Sequence, residues 1–274
     1  MGRFGVGLPK INDGQQLFDL NGLDKLKDTG RMAIIHNGSP LYNGDAGSGS
    51  SEIRRYIIEN DWLEAIIRLS TEAFYNTEIP TYIWLISKNK PIYREGKVQL
   101  IDASHMYEKR RKAIGKKKND ITEKCREIIV KAYGEFDNKV YELGDKTCES
   151  KVFDNIEFGY NKIVIESPML DEQGNILKKK NKPIADASKR DTENVPLTED
   201  IDSYFIREVL PYNSEAWIDK KKTKIGYEIP FTRYFYKNQQ PEKIDSIEKR
   251  INEIEMNIAT SLKLLFSEVG EIND

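Results

Sequence analysis

Cysteine and histidine are nearly missing from this sequence, with two of each in 274 residues. Cys125 and Cys148 lack metal-ligand spacing, and His36 and His105 stand far from both. That excludes the usual zinc arrangements and a disulfide framework, and it reads as two free thiols in a reducing compartment. A surplus of positive charge is missing too. Lys and Arg number 43 against 45 Asp and Glu, a formal net charge of −2. A general nucleic-acid coat is therefore excluded, and any contact with a phosphate backbone must come from local patches. No apolar run reaches membrane-spanning length, and the first residues do not resemble a secretory signal. The expectation is a cytoplasmic chain with no membrane association. What is present is enough apolar material for a packed core, 38% of residues, beneath a surface rich in charge, 32%.

The N-terminal stretch is a glycine-broken loop: Gly2, Gly5, Gly7 and Pro9, then the turn Asn12-Asp13-Gly14. Residues 15–28 carry Leu17, Phe18, Leu20, Leu23 and Leu26 at helical spacing, with Gly30 where a C-cap falls. A strand over Arg31–His36, a glycine-rich loop, and a helix from Glu52 to Asn60 follow, the helix presenting Ile53, Tyr56 and Ile57. Strands are expected at Leu63–Leu69, Thr81–Ser87 and Lys97–Ile101. This order is that of an α/β sheet with buried strands. The link from Leu69 to Thr81 is too short for a full crossover helix, so the third strand can run antiparallel to the second.

After Asp102 the pattern turns charged. Residues 105–150 read as mostly helical, with Ile128, Ile129, Ala132 and Tyr133 apolar. Ile156–Phe158 and Lys162–Ile165 read as a hairpin about Gly159. Residues 171–195 read as an exposed lysine-rich loop, and 198–209 and 213–219 as short helices or turns. The aromatic stretch from Tyr227 to Tyr236 reads as core. The densest basic cluster is Lys109, Arg110, Arg111 and Lys112 with Lys116, Lys117 and Lys118. It has two readings, a phosphate-binding patch or a solvated face. Arg54 and Arg55 at a helix start have the same two. In the tail, Ile244, Ile247, Ile251, Ile254, Ile258 and Leu265 follow three- and four-residue steps, with Ser261 in one slot. That is an a/d seam, which packs on its own domain or meets a partner helix.

Several segments together resemble a known family. They are Gly2-Arg-Phe-Gly-Val-Gly-Leu-Pro9, Asn12-Asp-Gly-Gln15, Gly30 to Pro40, Gly47-Ser-Gly49, and Glu52 to Asn60. Further along come Phe158-Gly-Tyr160, Ile165-Glu-Ser-Pro168, Ala216-Trp-Ile-Asp219 and Gly226-Tyr-Glu-Ile-Pro-Phe231. They resemble the M subunits of type I restriction–modification systems, which methylate N6 of adenine in DNA. The resemblance implies the C-terminal half of a class I S-adenosylmethionine-dependent methyltransferase sheet, a mixed α+β extension and a coiled-coil-type C-terminal helix. The expected division is 1–103, 104–240 and 241–274. Its sixth-to-seventh strand hairpin would account for the short link after Leu69.

The resemblance places a base-stacking aromatic at Phe74 or Tyr75, and a contact with DNA or the extruded base in the loop that begins at Asn37. It implies S-adenosylmethionine as cofactor of the complete subunit, and as partners DNA, a specificity subunit joined through the tail helix, and a restriction subunit. The sequence contains no Asn-Pro-Pro-aromatic motif and no glycine-rich cofactor motif after an early strand. In the family both precede the Gly-Arg-Phe-Gly segment. The expectation is thus a C-terminal part with no catalytic residue and no metal site. Alone it would bind no cofactor, and it could pair with itself through the tail. The rival expectation is a non-catalytic module that binds DNA or a subunit. Ser70 stands where the family often has proline.

Overall fold

The structure is a computed structural model that describes residues 2–238 and 242–270, with side chains up to Lys263. Met1–Phe235 form one compact unit and Tyr236–Asp274 a second.

The first unit is built on a six-stranded sheet in the order β1-β3-β2-β4-β8-β7. Its strands are β1 (Arg31–His36), β2 (Leu63–Arg68), β3 (Tyr82–Ser87), β4 (Lys97–Asp102), β7 (Lys139–Leu143) and β8 (Lys146–Asp154). β3 lies antiparallel between β1 and β2, while β2 and β4 are parallel. So β1, β2 and β4 point one way, and the link after Leu69 makes the antiparallel return that its length allowed.

Side chains on β2, β3 and β4 alternate between two cores because successive residues face opposite sides of a sheet. Ile66, Trp84, Ile86, Val98 and Leu100 enter the first core, under α1 (Gln15–Lys25) and α3 (Gly49–Glu59). Ile67, Leu69 and Ile101 enter the second, under α4 (Glu123–Glu135), while Ile83 and Leu85 pack against it. Burial on both faces explains why these strands read as unbroken apolar runs. Between β1 and α3 a one-turn helix, α2 (Ser39–Tyr42), sets Leu41 in the first core.

Several stretches differ from expectation, and residues 178–179, 182–183, 191–195 and 217–218, expected in loops, short helices or turns, pair as strands. Residues 105–150 are not mostly helical. They hold a hairpin, β5 (Glu108–Ile114) with β6 (Lys117–Asp120), then α4 and the β7–β8 pair. Only α4 has apolar residues at helical spacing, and Gly115 and Gly144 sit at positive φ in the hairpin turns, where glycine carries little strain. Ile156-Glu-Phe158 is a 3-10 turn closed by a capping box between Asp154 and Glu157, not a strand. The strand that follows, β9 (Gly159–Glu166), is the centre of a second sheet, with β12 (Asp191–Pro196), β13 (Trp217–Ile218) and β14 (Lys224–Tyr227). Within the lysine-rich stretch, β10 (Lys178–Lys179) and β11 (Lys182–Pro183) form a small ribbon. α5 (Ile201–Glu208) packs on the second sheet, and α6 (Phe231–Tyr234) begins with the buried Phe231. Tyr227, Ile229 and Phe231 join the first core and Tyr234 and Phe235 pack against it, as the aromatic density implied, while Tyr236 at the end of the stretch is exposed.

In α1 the buried face is Gln16, Asp19, Leu20 and Leu23, and Phe18 is 67% exposed. The i, i+3, i+4, i+7 spacing selects that face even though two of its four residues are polar. At the start of α3, a Cβ added to Gly49 would lie 1.9 Å from the Leu8 carbonyl oxygen. Glycine is required there because the N-terminal segment crosses directly over the helix.

Arg54 ties the two sheets together. It is wholly buried and donates to the carbonyls of Tyr227 (2.7 Å), Asn43 (2.7 Å), Pro40 (3.1 Å) and Gly44 (3.3 Å). Desolvation brings its pKa down to about 10, still well above neutrality, and Tyr160 and Glu228 act against that fall. Arg54→Met leaves those carbonyls without a donor, and each buried polar group so stranded costs about 1–3 kcal/mol. The expected loss of stability is about 3 kcal/mol or more, read by urea denaturation with Trp fluorescence.

Candidate nucleic-acid interface

Across one edge of the large sheet the register aligns His36, Tyr82, Arg68 and Asp102. His36, Arg68 and Asp102 are the last residues of the parallel strands β1, β2 and β4. In open α/β sheets this carboxyl edge is where ligands bind. Three stretches leave the edge there: residues 37–48, residues 69–81, and residues 103–107 with the β5–β6 hairpin.

The row contains both satisfied and unsatisfied polar groups. Arg68 reaches Asp102 at 3.3 Å, but its Nε has no hydrogen-bond partner among the described residues. The buried hydroxyls of Ser70 and Thr81, at the mouth of the β2–β3 connection, have none among those residues either. Burial raises the Tyr82 phenol above its ordinary pKa, and Arg68 partly offsets that rise. Unpaired buried polar atoms are rare in folded chains because each carries a desolvation cost. Finding Arg68, Ser70 and Thr81 so close together marks this edge as polar by construction.

Beside the end of β1 lies a polar cleft of about 450 Å³ that includes Lys10, Asp13, Gln15, Asn37, Asn43 and Ser50. Gln15 donates to both Asp13 and Asn37 at 2.9 Å, and its oxygen accepts from the Asn37 amide at 3.0 Å. Asn37 in turn caps the Ser39 amide at 2.8 Å. Burial raises the Asp13 pKa, but hydrogen bonds from Gln15, Ser39 and Asn43 outweigh it, and the net shift is downward. Asn37 is therefore half-buried in a network, not displayed on a loop tip.

Beneath this cleft, His36 Nε2 and Asp19 Oδ1 are 2.8 Å apart and both residues are buried. His36 also meets Trp84 edge-on, with centroids 5.7 Å apart. Sequence reasoning missed the pair. The available signal was Gln16 and Asp19 recurring at helical spacing with Leu20 and Leu23.

The loop after β2 separates its two aromatics. Phe74 and Thr77 form an isolated bridge that closes a tight turn, and Phe74 packs against the second core. Tyr75 points outward and is 57% exposed. The basic hairpin is bound to this same loop. Lys116 N donates to Tyr75 O (2.8 Å), Lys118 N and Asn119 N to Glu72 O (3.0 and 3.1 Å), and Asn119 Nδ2 to Thr71 O (2.9 Å). The aromatic loop and the basic cluster, far apart in sequence, are thus one structural unit.

The expected cations divide into two groups. Lys116 pairs with Glu78, Lys118 with Glu72, and Lys117 and Arg110 share Asp120. Lys109, Arg111 and Lys112 are exposed and have no ion pair among the described residues. Of Arg54 and Arg55, for which a phosphate contact or a solvated face was expected, Arg54 fits neither and Arg55 stays at the surface. Arg54 is spent on buried carbonyls, and Arg55 pairs along its helix with Glu59 (2.9 Å) and Glu52 (3.8 Å).

In the second unit, α7 (Ile244–Gly270) is a single helix. Ile244, Ile247, Ile251, Ile254 and Ile258 are exposed along it, while the Leu265 side chain lies outside the described residues. Among the described residues, no cluster of His, Cys, Asp and Glu could hold a metal ion, and no helix is long and apolar enough to cross a membrane.

Residues 2–167 match the model of the N-6 DNA methylase family. That is more than half of the chain, and the chain belongs to this family. Within it, the relatives are methylase subunits of type I restriction enzymes. The MjaIX methylase subunit of Methanocaldococcus jannaschii is 38% identical over 144 residues, 51% of this chain and 25% of that protein. The HindI methylase subunit of Haemophilus influenzae is 32% identical over 104 residues, 37% of this chain and 22% of that protein. Among solved structures, the type I restriction–modification methyltransferase subunit from Streptococcus thermophilus matches with 28% identity and a TM-score of 0.46, over 57% of this chain and 30% of that one. The chain thus spans a quarter or less of the curated relatives it matches. The β1-β3-β2 order, an antiparallel strand between two parallel ones, is that of the end of a class I methyltransferase sheet.

Burial raises the Asp19 pKa, and the bond to His36 only partly counters it. A carboxyl whose folded pKa exceeds its unfolded value favours folding at low pH, and that contribution is lost as pH rises through the folded pKa. Asp19→Asn keeps the shape and removes the titration. Its melting temperature relative to the parent should therefore rise between about pH 4, near the ordinary carboxylate value, and pH 7. A difference that does not change with pH would show that the fold leaves the Asp19 pKa at its unfolded value, and a fall would show that the fold lowers it.

Proposed function

We propose that this chain is the base-facing part of an N6-adenine DNA methyltransferase subunit of a type I restriction–modification enzyme. The observation that carries the reading is the convergence, at the carboxyl edge of the sheet, of an exposed aromatic on the β2–β3 loop with a basic hairpin bonded to that loop. Chemistry on a base requires the base to leave the duplex, and an aromatic face together with phosphate-binding cations serves that state. The free cations Lys109, Arg111 and Lys112 contact the backbone. Tyr75, or Phe74 after rearrangement, stacks on the base. Asn37 shapes the neighbouring cleft.

S-adenosylmethionine supplies the methyl group in the complete subunit. On this reading the chain alone does not hold it. Gln15, Asp13 and Asn37 in the neighbouring cleft are bonded to one another, and the sequence carries no cofactor motif. Methyl transfer to adenine-containing DNA by this chain alone is therefore expected to be undetectable. By analogy with its relatives, the chain works with a specificity and a restriction subunit. The absence of an Asn-Pro-Pro-aromatic motif also fits a non-catalytic DNA- or subunit-binding module, and transfer assays with those subunits added separate the two.

Binding of duplex DNA, followed by fluorescence anisotropy at increasing salt, tests the DNA-facing surface. Each phosphate neutralised adds about 0.9 to the slope of log affinity against log salt. Replacing Lys109, Arg111 and Lys112 together by Ala should lower that slope by about 0.9 for every phosphate these cations neutralise. An unchanged slope would move the DNA path elsewhere.

A further inference from the structure

We infer that Lys117 and Gly115 are positioning residues for Tyr75: the hairpin tip holds the ring by one face and so presents the other to an unpaired base. This deepens the function proposed above and rests on it.

The contacts form a continuous chain. Asp120 accepts from Arg110 at 2.5 Å and pairs with Lys117 at 3.1 Å, so the Lys117 ammonium is held from below by a carboxylate. The bonds from Arg110 and Lys117 lower the Asp120 pKa, and the carboxylate stays charged throughout the neutral range. Lys117 Nζ then stands 5.3 Å from the centroid of the Tyr75 ring. A cation at that distance is attracted to the negative face of an aromatic ring.

The backbone fixes the same geometry. Lys116 N donates to Tyr75 O at 2.8 Å, next to Gly115. Gly115 has φ +59°, and a Cβ there would stand 2.6 Å from that same oxygen. Glycine is thus required both by conformation and by contact. Glu72 and Glu78 pair with Lys118 and Lys116 on either side of the tip. The loop is held at both ends by the hairpin, while Phe74 is anchored in the second core. Tyr75 is the aromatic left free, and Lys117 limits its wandering. A base stacking on the open face would complete a base–tyrosine–ammonium sandwich, with the cation enhancing the ring's attraction on one side and the base covering the other.

The probe is a single-stranded oligonucleotide carrying one 2-aminopurine, whose fluorescence falls on stacking. With the parent chain at saturation, quenching of the bound probe is expected. Tyr75→Ala should abolish it, and Tyr75→Phe should keep it. Lys117→Ala and Gly115→Ala should each restore most of the probe fluorescence, and Lys117→Arg should return the quenching, because a guanidinium also sits over an aromatic face. A merely electrostatic Lys117 would change affinity by about one phosphate contact and leave the bound-state fluorescence at the parent value. That result, with Tyr75→Ala still losing the quenching, would overturn this inference alone. If Tyr75→Ala behaves as the parent, or if the parent chain binds no oligonucleotide at low salt, the DNA-facing reading of the loop falls as well.

Discussion

The guanidinium of Arg54 is the contact on which the larger unit depends. It sits on α3, which covers the first face of the main sheet, and it accounts for carbonyls from two other places: α2 with the chain just after it, and the end of β14. Ser51, one turn earlier, accepts from the Tyr227 amide at 2.9 Å. The second sheet and the main sheet are therefore joined through polar bonds formed in a dry interior. Such bonds gain little over solvated ones when made, but are costly to leave unmade. The interface is accordingly unforgiving of substitution, and the loop leading to the carboxyl edge inherits its position from it.

Much of the sheet was legible because its strands are short, apolar and bounded by turns. β1 matches its expected limits, and β2, β3 and β4 differ by a residue at one end. The antiparallel return after Leu69 was suggested by the link length together with the strand hairpin that the resemblance implied. The stretch after Asp102 was misread because β5 has no apolar alternation. It carries charges on both faces, and its pairing depends on bonds to a loop some forty residues earlier, which no local pattern records.

The site was legible in its parts but not in its assembly. The aromatic loop and the basic cluster were visible as composition, yet their union depends on Asn119 and on main-chain amides. Arg54 and Arg55 looked alike in sequence. A residue's turn on the helix decides between solvent and interior, and the helix phase put Arg54 beside Ile53 and Ile57 on the buried side.

Cys125 and Cys148 both lie in the second core and are fully buried. Burial pushes the Cys148 thiol up to about 12, so almost none of it is thiolate near neutrality. Thiolate is the form that reacts with maleimides and oxidants. The native chain is in effect a thiol-silent background. A single cysteine introduced on the surface of the β5–β6 hairpin would take a fluorophore or spin label without prior removal of the natural pair, and distances measured from it would report on that hairpin alone.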